Sequence, residues 1–183
     1  YDLPSRQGKS CESLGTVYQI KMFQYLLIET DEKYPEILAL YERNQDFFAL
    51  SQSSAVTLAQ VDADVHAGPE NLAPENKKYF LITDDNETPI AVLDYALGYP
   101  DDQTVFIGLL IVDKIFRGQG LGHKIVAEQL AHFRSIGMRK VRIAVLDNNP
   151  AGLAFWQGLG FEIIEKNKHS TDGDLVHVLS YTL

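Results

Sequence analysis

Arg117-Gly118-Gln119-Gly120-Leu121-Gly122 sets three glycines on alternate positions between an apolar run and an amphipathic segment. Glycine removes the side chain where backbone must approach a ligand closely, and the start of a helix leaves several N–H groups without partners. Those donors, aided by the helix dipole, suit an anion such as a diphosphate. Arg117, His123 and Lys124 supply positive charge nearby. The same hexamer also reads as an ordinary tight turn, and taken alone it does not choose between the two. A dinucleotide-binding fingerprint would need glycine where His123 stands, and a place early in the fold. The phosphate loop of nucleotide hydrolases would need Gly-Lys-Ser/Thr, which is absent.

Charge around this turn is uneven. The 183-residue chain carries a formal net charge of −9, yet from Lys114 to Arg142 seven basic residues face the single acid Glu128. That segment is +6 and the remainder −15. A basic island in an acidic protein suits a bound anion at the island and a cationic partner elsewhere, although solvated helix charges would give the same count. The overall balance argues against nucleic acid, whose phosphates need a basic surface. No apolar run reaches the roughly 18 residues of a membrane-spanning helix, so no membrane partner is expected. Cys11 is the only cysteine, which excludes an intrachain disulfide and a cysteine-based metal site. With no histidine nearby to activate it, Cys11 reads as an incidental thiol. His66, His123, His132, His169 and His177 show no metal-ligand spacing, and no metal is expected. A reducing cytoplasm fits, and the first residues lack the pattern of a secretory signal. Tyr1 is not an initiator residue, which leaves room for a trimmed segment.

The elements that must position the turn follow from periodicity. No repeat or long linker divides the chain, so residues 1–183 are expected to form a single domain, with 1–16 a weakly patterned N-terminal extension. Residues 17–28 read as a first strand. Ile37, Leu38, Leu40, Tyr41, Phe47, Phe48 and Leu50 recur at helical spacing, and a second helix covers residues 56–65. Residues 79–83 and 90–97 flank the polar turn Asp84-Asp85-Asn86-Glu87 as an antiparallel hairpin. Residues 104–112 are apolar at both parities, which predicts a central strand buried on both faces, with Gly108 marking a bulge. Leu121, Ile125, Val126, Leu130, Phe133 and Ile136 line one face of a helix ending near Gly137. Residues 141–146 form the next strand, parallel to the one before the helix. Asn149 caps a short helix opening on Pro150 and closed by Gly160. Residues 161–165 and 175–182 flank Asp172-Gly173-Asp174 as a final hairpin. The sum is a mixed α/β (α+β) fold whose mostly antiparallel sheet has helices on both faces and one parallel crossover pair.

This order resembles the GNAT superfamily of N-acetyltransferases. The resemblance runs from the strand ending Leu110-Ile111-Val112, through the glycine turn and its helix, to Asn149, Phe155-Trp156 and Gly160-Phe161. It implies about seven strands, two of them splayed to admit the pantetheine arm of acetyl-CoA. By that resemblance, backbone of Leu110, Ile111 and Val112 would bond the arm. Amides from Gly118 through Gln119, Gly120, Leu121 and Gly122 to His123, with Arg117, would hold the diphosphate. Asn149 would lie near the thioester, and Trp156 would wall the channel or else serve as core. The implied activity is transfer of acetyl from acetyl-CoA to a primary amine of a small molecule or peptide, by direct attack. Acceptor pockets in this fold come from the N-terminal helices and loops, here residues 33–74, whose acidity favours a cationic amine. The oligomeric state stays open, a homodimer among the arrangements.

The pattern is broken where proton transfer would occur. Many relatives place glutamate five residues before the asparagine, where this chain has Ala144, and tyrosine seven residues after it, where Trp156 stands. No carboxylate lies in residues 104–112. Asp94, which interrupts the apolar run 90–97, is the candidate base, against the plainer reading of a hydrogen-bonded structural aspartate. Asp113 and Asp147 read as cap or turn residues. Tyr99 and Tyr181 are proton donors without positional support. A non-catalytic acyl-CoA-binding module is the alternative that these departures motivate, and a nucleotide-binding protein of another fold is a third.

Overall fold

A computed structural model of the chain describes residues 23–183. The expected N-terminal extension 1–16, Cys11, and the part of the first strand before residue 23 lie outside the described residues. Twelve strands and α-helices follow in chain order: β1 (Gln24–Leu27), α1 (Tyr34–Arg43), α2 (Gln45–Phe48), α3 (Leu58–His66), β2 (Lys77–Thr83), β3 (Pro89–Leu97), β4 (Thr104–Val112), α4 (Leu121–Ser135), β5 (Lys140–Leu146), α5 (Pro150–Gly158), β6 (Glu162–His169) and β7 (Leu175–Thr182). The strands make one sheet in the order β1-β2-β3-β4-β5-β7-β6. Every neighbour pair is antiparallel except β4 and β5, joined by the α4 crossover. The expected mixed sheet of seven strands is therefore observed.

Each face of the sheet carries its own core. Ile125, Val126, Leu130 and Phe133 of α4 pack with Trp156 of α5 on strand residues such as Leu93, Ile107 and Val145. Ile37, Leu40 and Tyr41 of α1 and Val61 and Val65 of α3 pack on Tyr79, Leu81, Val92 and Ile111 from the other side. This second layer includes a buried polar joint: Tyr79 donates to the Tyr41 hydroxyl at 2.7 Å, and Tyr41 donates to Asp64 Oδ2 at 2.9 Å. Burial pushes both phenols well above the ordinary tyrosine range, so they act as hydrogen-bonding posts between helix and sheet.

Two expectations are corrected. The apolar pattern of residues 37–50 is one helix by period, yet α1 ends at Arg43 and α2 begins at Gln45. Asn44 between them is fully buried, and its amide donates to Leu40 O at 2.7 Å, an alternative to continued helical bonding. The strand 104–112 is central as expected but not closed on both edges. Its parallel register with β5 runs only from Thr104 opposite Lys140 to Ile107 opposite Ile143. Gly108 is exposed, with Leu109 and Leu110 half-buried.

Candidate functional site

The bulge at Gly108 is where the two central strands part. Across the β3–β4 pair the register slips between Asp94 and Tyr95, so Asp94 faces Leu109 while Tyr95 faces Ile107. Gly108 is the extra residue, as its place in the apolar run predicts. Beyond it, β4 keeps β3 on one side, with Leu110, Ile111 and Val112 opposite Leu93, Val92 and Ala91. On the other side β5 has turned away. The opening is lined by residues 107–110 of β4, residues 143–146 of β5, Asn149, Trp156 and, from α2, Phe47. Ala144, at the position of the missing glutamate, is one of its walls.

The glycine turn follows β4 in the chain and leads into α4. Gly118 and Gly120 adopt φ of 77° and 75°, conformations that L side chains rarely take, and a Cβ on either would meet nothing within 4 Å. The glycines are thus required by backbone shape, and open space lies above them. Gly120 precedes α4, and among the described residues no side chain caps the 15-residue helix. Its first-turn amides are therefore left for a ligand or solvent, as an anion seat requires. Gly122 is needed for another reason: a Cβ there would lie 3.1 Å from the Phe155 ring and 3.5 Å from Val112. His123 packs edge-on to Phe155, with ring centroids 5.0 Å apart.

The Arg117 side chain is held by protein groups. Its Nε donates to Val112 O at 3.2 Å, Nη1 pairs with Asp46 Oδ2 at 2.6 Å, and Nη2 donates to Asn44 Oδ1 at 2.5 Å. The guanidinium lowers the Asp46 pKa below the ordinary carboxylate value. One turn further back, the wholly buried Asp113 accepts from Arg43 Nε at 2.7 Å and pairs with Nη2 at 2.6 Å, while also accepting from Ile115 N. Asp113 is thus a cap, as its position at the strand end suggests, with an ion pair to α1 that spacing does not reveal. Asp147 lies in the turn after β5, where its carboxylate pairs with His177 Nε2 at 3.0 Å.

Asn149 caps α5 by accepting from Gly152 N at 2.9 Å, and it also lines the cleft. Trp156 is 8% exposed within the α4-side core and also lines the cleft. Tyr181 packs on Phe161 and accepts from Arg134 at 3.4 Å, whereas Tyr99 stacks edge-on to Phe106. Neither lines the cleft. Among the described residues, no group of three or more His, Cys, Asp or Glu side chains is assembled that could hold a metal ion, and no helix is long and apolar enough to cross a membrane.

Asp94 is buried on the α1–α3 side of the sheet. Its Oδ2 pairs with Lys77 Nζ at 2.9 Å. A Cβ at Gly108 would collide with Oδ1, so the carboxyl lies directly against a cleft-lining residue. Burial outweighs Lys77 and the Gly108 amide and raises the carboxyl to about 6. Such a group holds a proton more readily than a free aspartate, yet is ionised at neutral pH.

These features define a class. The acetyltransferase (GNAT) family profile matches residues 17–161, and the chain belongs to that family. An acetyltransferase from Thermus thermophilus is 23% identical, with a TM-score of 0.74 over 88% of this chain and 97% of that one. The Vibrio cholerae spermidine N-acetyltransferase, solved with CoA and spermine, is 11% identical with a TM-score of 0.66, covering 88% and 95%. A ribosomal L7/L12 alpha-N-protein acetyltransferase solved with coenzyme A is 18% identical with a TM-score of 0.69, covering 89% and 95%. At these identities the likeness is one of fold. Among curated proteins none matches the chain.

The raised Asp94 carboxyl makes a stability prediction with a definite sign. A folded value near 6 against about 4 unfolded means the folded state binds the proton more tightly, so ionisation costs stability. That cost is fully present above pH 6 and is relieved as pH falls from 6 toward 4. Relative to Asp94→Asn, the wild type should therefore gain on the order of 2 kcal/mol between pH 7 and pH 4. Denaturant midpoints of both proteins across this range check it, and a difference independent of pH would contradict it.

Proposed function

We propose that the protein is an acetyl-CoA-dependent N-acetyltransferase of the cytoplasm, acting as a single domain on a primary amine of a small molecule or peptide. The observation that carries this reading is the parting of β4 from β5 after Ile107, beside the uncapped start of α4. The cofactor's two recognisable parts have seats there. The diphosphate would rest on the amides from Gly118 to His123. The pantetheine arm would replace the missing strand along Leu110, Ile111 and Val112. The side chain of Arg117, already paired with Asp46, would contribute to that seat mainly through its place in the turn. Family members solved with coenzyme A and with spermine, and others named for ribosomal protein substrates, support the cofactor and the amine class.

The reaction follows from the chemistry of the cleft. A neutral amine attacks the thioester carbonyl, the carbon–nitrogen bond forms, and the carbon–sulfur bond breaks as thiolate departs, while the extra proton on the acylated nitrogen passes to solvent. The amine must first give up a proton, because an ammonium has no lone pair. Asp94 is the carboxylate against the cleft wall, and in its ionised form it is the base we assign. The departing thiolate needs no acid, since a thiol pKa near 8.5 makes it a tolerable leaving group. Trp156 in the tyrosine position is consistent with that. The departures at Ala144 and Trp156 also favour a second reading, a non-catalytic acyl-CoA-binding module of the same fold, which binds the cofactor without turnover.

Binding is tested first. Acetyl-CoA at 100 times its dissociation constant should stabilise the fold by about 2.7 kcal/mol, read as a rise in melting temperature. Gly120→Val should lose that rise, because a branched side chain neither accepts the positive φ nor leaves room for the diphosphate. No shift in the wild type at millimolar acetyl-CoA would remove the cofactor assignment, and a normal shift in Gly120→Val would reduce the turn to a connection.

Chemistry is tested by thiol release against pH with an amine found in a screen. The rate should rise with pH and level off without an alkaline fall, in the wild type and in Trp156→Phe, which should keep much of the turnover. Asp94→Asn should lose about 100-fold in turnover while still binding acetyl-CoA. A bell-shaped profile with its alkaline limb intact in Trp156→Phe would show that another residue serves as an acid. Binding without turnover on any amine would favour the binding module.

A further inference from the structure

The cleft is lined by an aromatic ring from each face of the sheet. Trp156 belongs to the core beneath α4 and α5, on the side where the glycine turn begins α4. Phe47 packs with the core of α1 and α3 on the opposite side. Among the described residues, every other lining residue comes from β4, β5 or the start and body of α5, and Phe47 is the wall contributed by the helices of the far face. It shares the opening with Leu109 and Ala144, side chains at the level where the strands have just parted.

Phe47 is also held in place. Its ring meets Phe48 edge-on at 5.3 Å, and the buried Phe48 packs on Tyr41 at 4.6 Å. The preceding residue, Asp46, is paired with Arg117 of the glycine turn, and Arg117 holds Asn44 as well. On the other flank, Asn148 Nδ2 donates to Leu50 O at 2.9 Å, tying the segment after α2 to the loop before α5. The helix cannot retreat from the cleft without breaking an ion pair and exposing Phe48.

We propose that Phe47 sets the length of the acyl group, holding the enzyme to acetyl. The inference rests on the acetyl-CoA reading of the cleft. With the diphosphate at the start of α4, the thioester enters the gap from the Trp156 side. Carbons beyond the carbonyl then extend toward the far face, where the fixed Phe47 ring stands. Arg117 and Asp46 are positioning residues in this account: they brace α2 against the same turn that holds the diphosphate. An apolar wall discriminates roughly 10-fold or more per methylene that it refuses.

The test measures dissociation constants of coenzyme A, acetyl-CoA, butyryl-CoA and hexanoyl-CoA by titration calorimetry, for the wild type, Phe47→Ala, Phe47→Leu and Phe47→Trp. The wild type should bind hexanoyl-CoA at least about 10-fold more weakly than acetyl-CoA. Phe47→Ala should bring that ratio near one, Phe47→Leu should fall between, and Phe47→Trp should sharpen the discrimination against butyryl-CoA that the wild type already shows. Asp46→Ala should relax the ratio part of the way. Plain coenzyme A, which carries no acyl group, should bind the Phe47 variants that keep the wild-type melting profile with similar strength. An unchanged acyl ratio in Phe47→Ala and Phe47→Leu, with coenzyme A binding intact, would overturn the proposal. So would an effect of Phe47 confined to the Michaelis constant of the amine. If coenzyme A and its thioesters bind no variant and not the wild type, the cofactor reading itself fails and this inference with it.

Discussion

The cleft arises from a shortage of hydrogen-bond partners in the middle of the sheet. β4 lies fourth in a sheet of seven strands, where both edges of its backbone should be satisfied, yet its pairing with β5 ends at Ile107. Main-chain donors and acceptors that find no partner cost free energy unless water or a ligand bonds them. The bulge at Gly108 creates this condition by shifting the β3 register while β5 diverges. What results is a slot with an apolar lining and bare backbone polar groups, the combination that accepts an extended chain as an added strand. The uncapped start of α4 supplies the same kind of shortage next to it.

The residues around the slot serve to keep it open. Arg43 braces buried Asp113 just after β4, Arg117 braces α2, and Asn148 braces the segment after α2. Two of these pairs join α1 and α2 to the stretch between β4 and α4, so these helices and the turn form one connected unit. Asp94 and Lys77 do a related job across β2, β3 and the bulge. Replacing Gly108 by alanine would force the Asp94 carboxyl aside, which makes the glycine a packing requirement as much as a backbone one.

Features governed by neighbours in sequence were legible in advance. The glycine turn, the Asn149–Pro150 cap, both hairpins and the parallel crossover depend on local geometry, and each stands where periodicity and turn chemistry predict. Features governed by distant partners were not. An apolar run such as residues 104–112 reads as a fully enclosed strand, because nothing in it records that β5 departs halfway along. The break at Asn44 is hidden for the same reason: hydrophobic spacing continues across it, and the bond to Leu40 and the contact with Arg117 are tertiary choices. Arg117 itself shows the limit most clearly. Its place in the turn suggests a phosphate ligand, while its guanidinium is committed to residues 71 and 73 positions away. Phe47 carried no chemical signal, and only its position in the folded chain brings it to the cleft.

Backbone amide exchange reads the unpaired groups of β4 and of the start of α4 directly. Acetyl-CoA added to the full chain should slow exchange in two stretches, residues 108–112 of β4 and residues 118–123 at the start of α4, with little change in β1, β2 and β6. Protection in both stretches together is what a cofactor bridging slot and turn requires. Protection of the turn alone would leave the slot without its occupant, and protection confined to other strands would contradict the placement of the cofactor altogether.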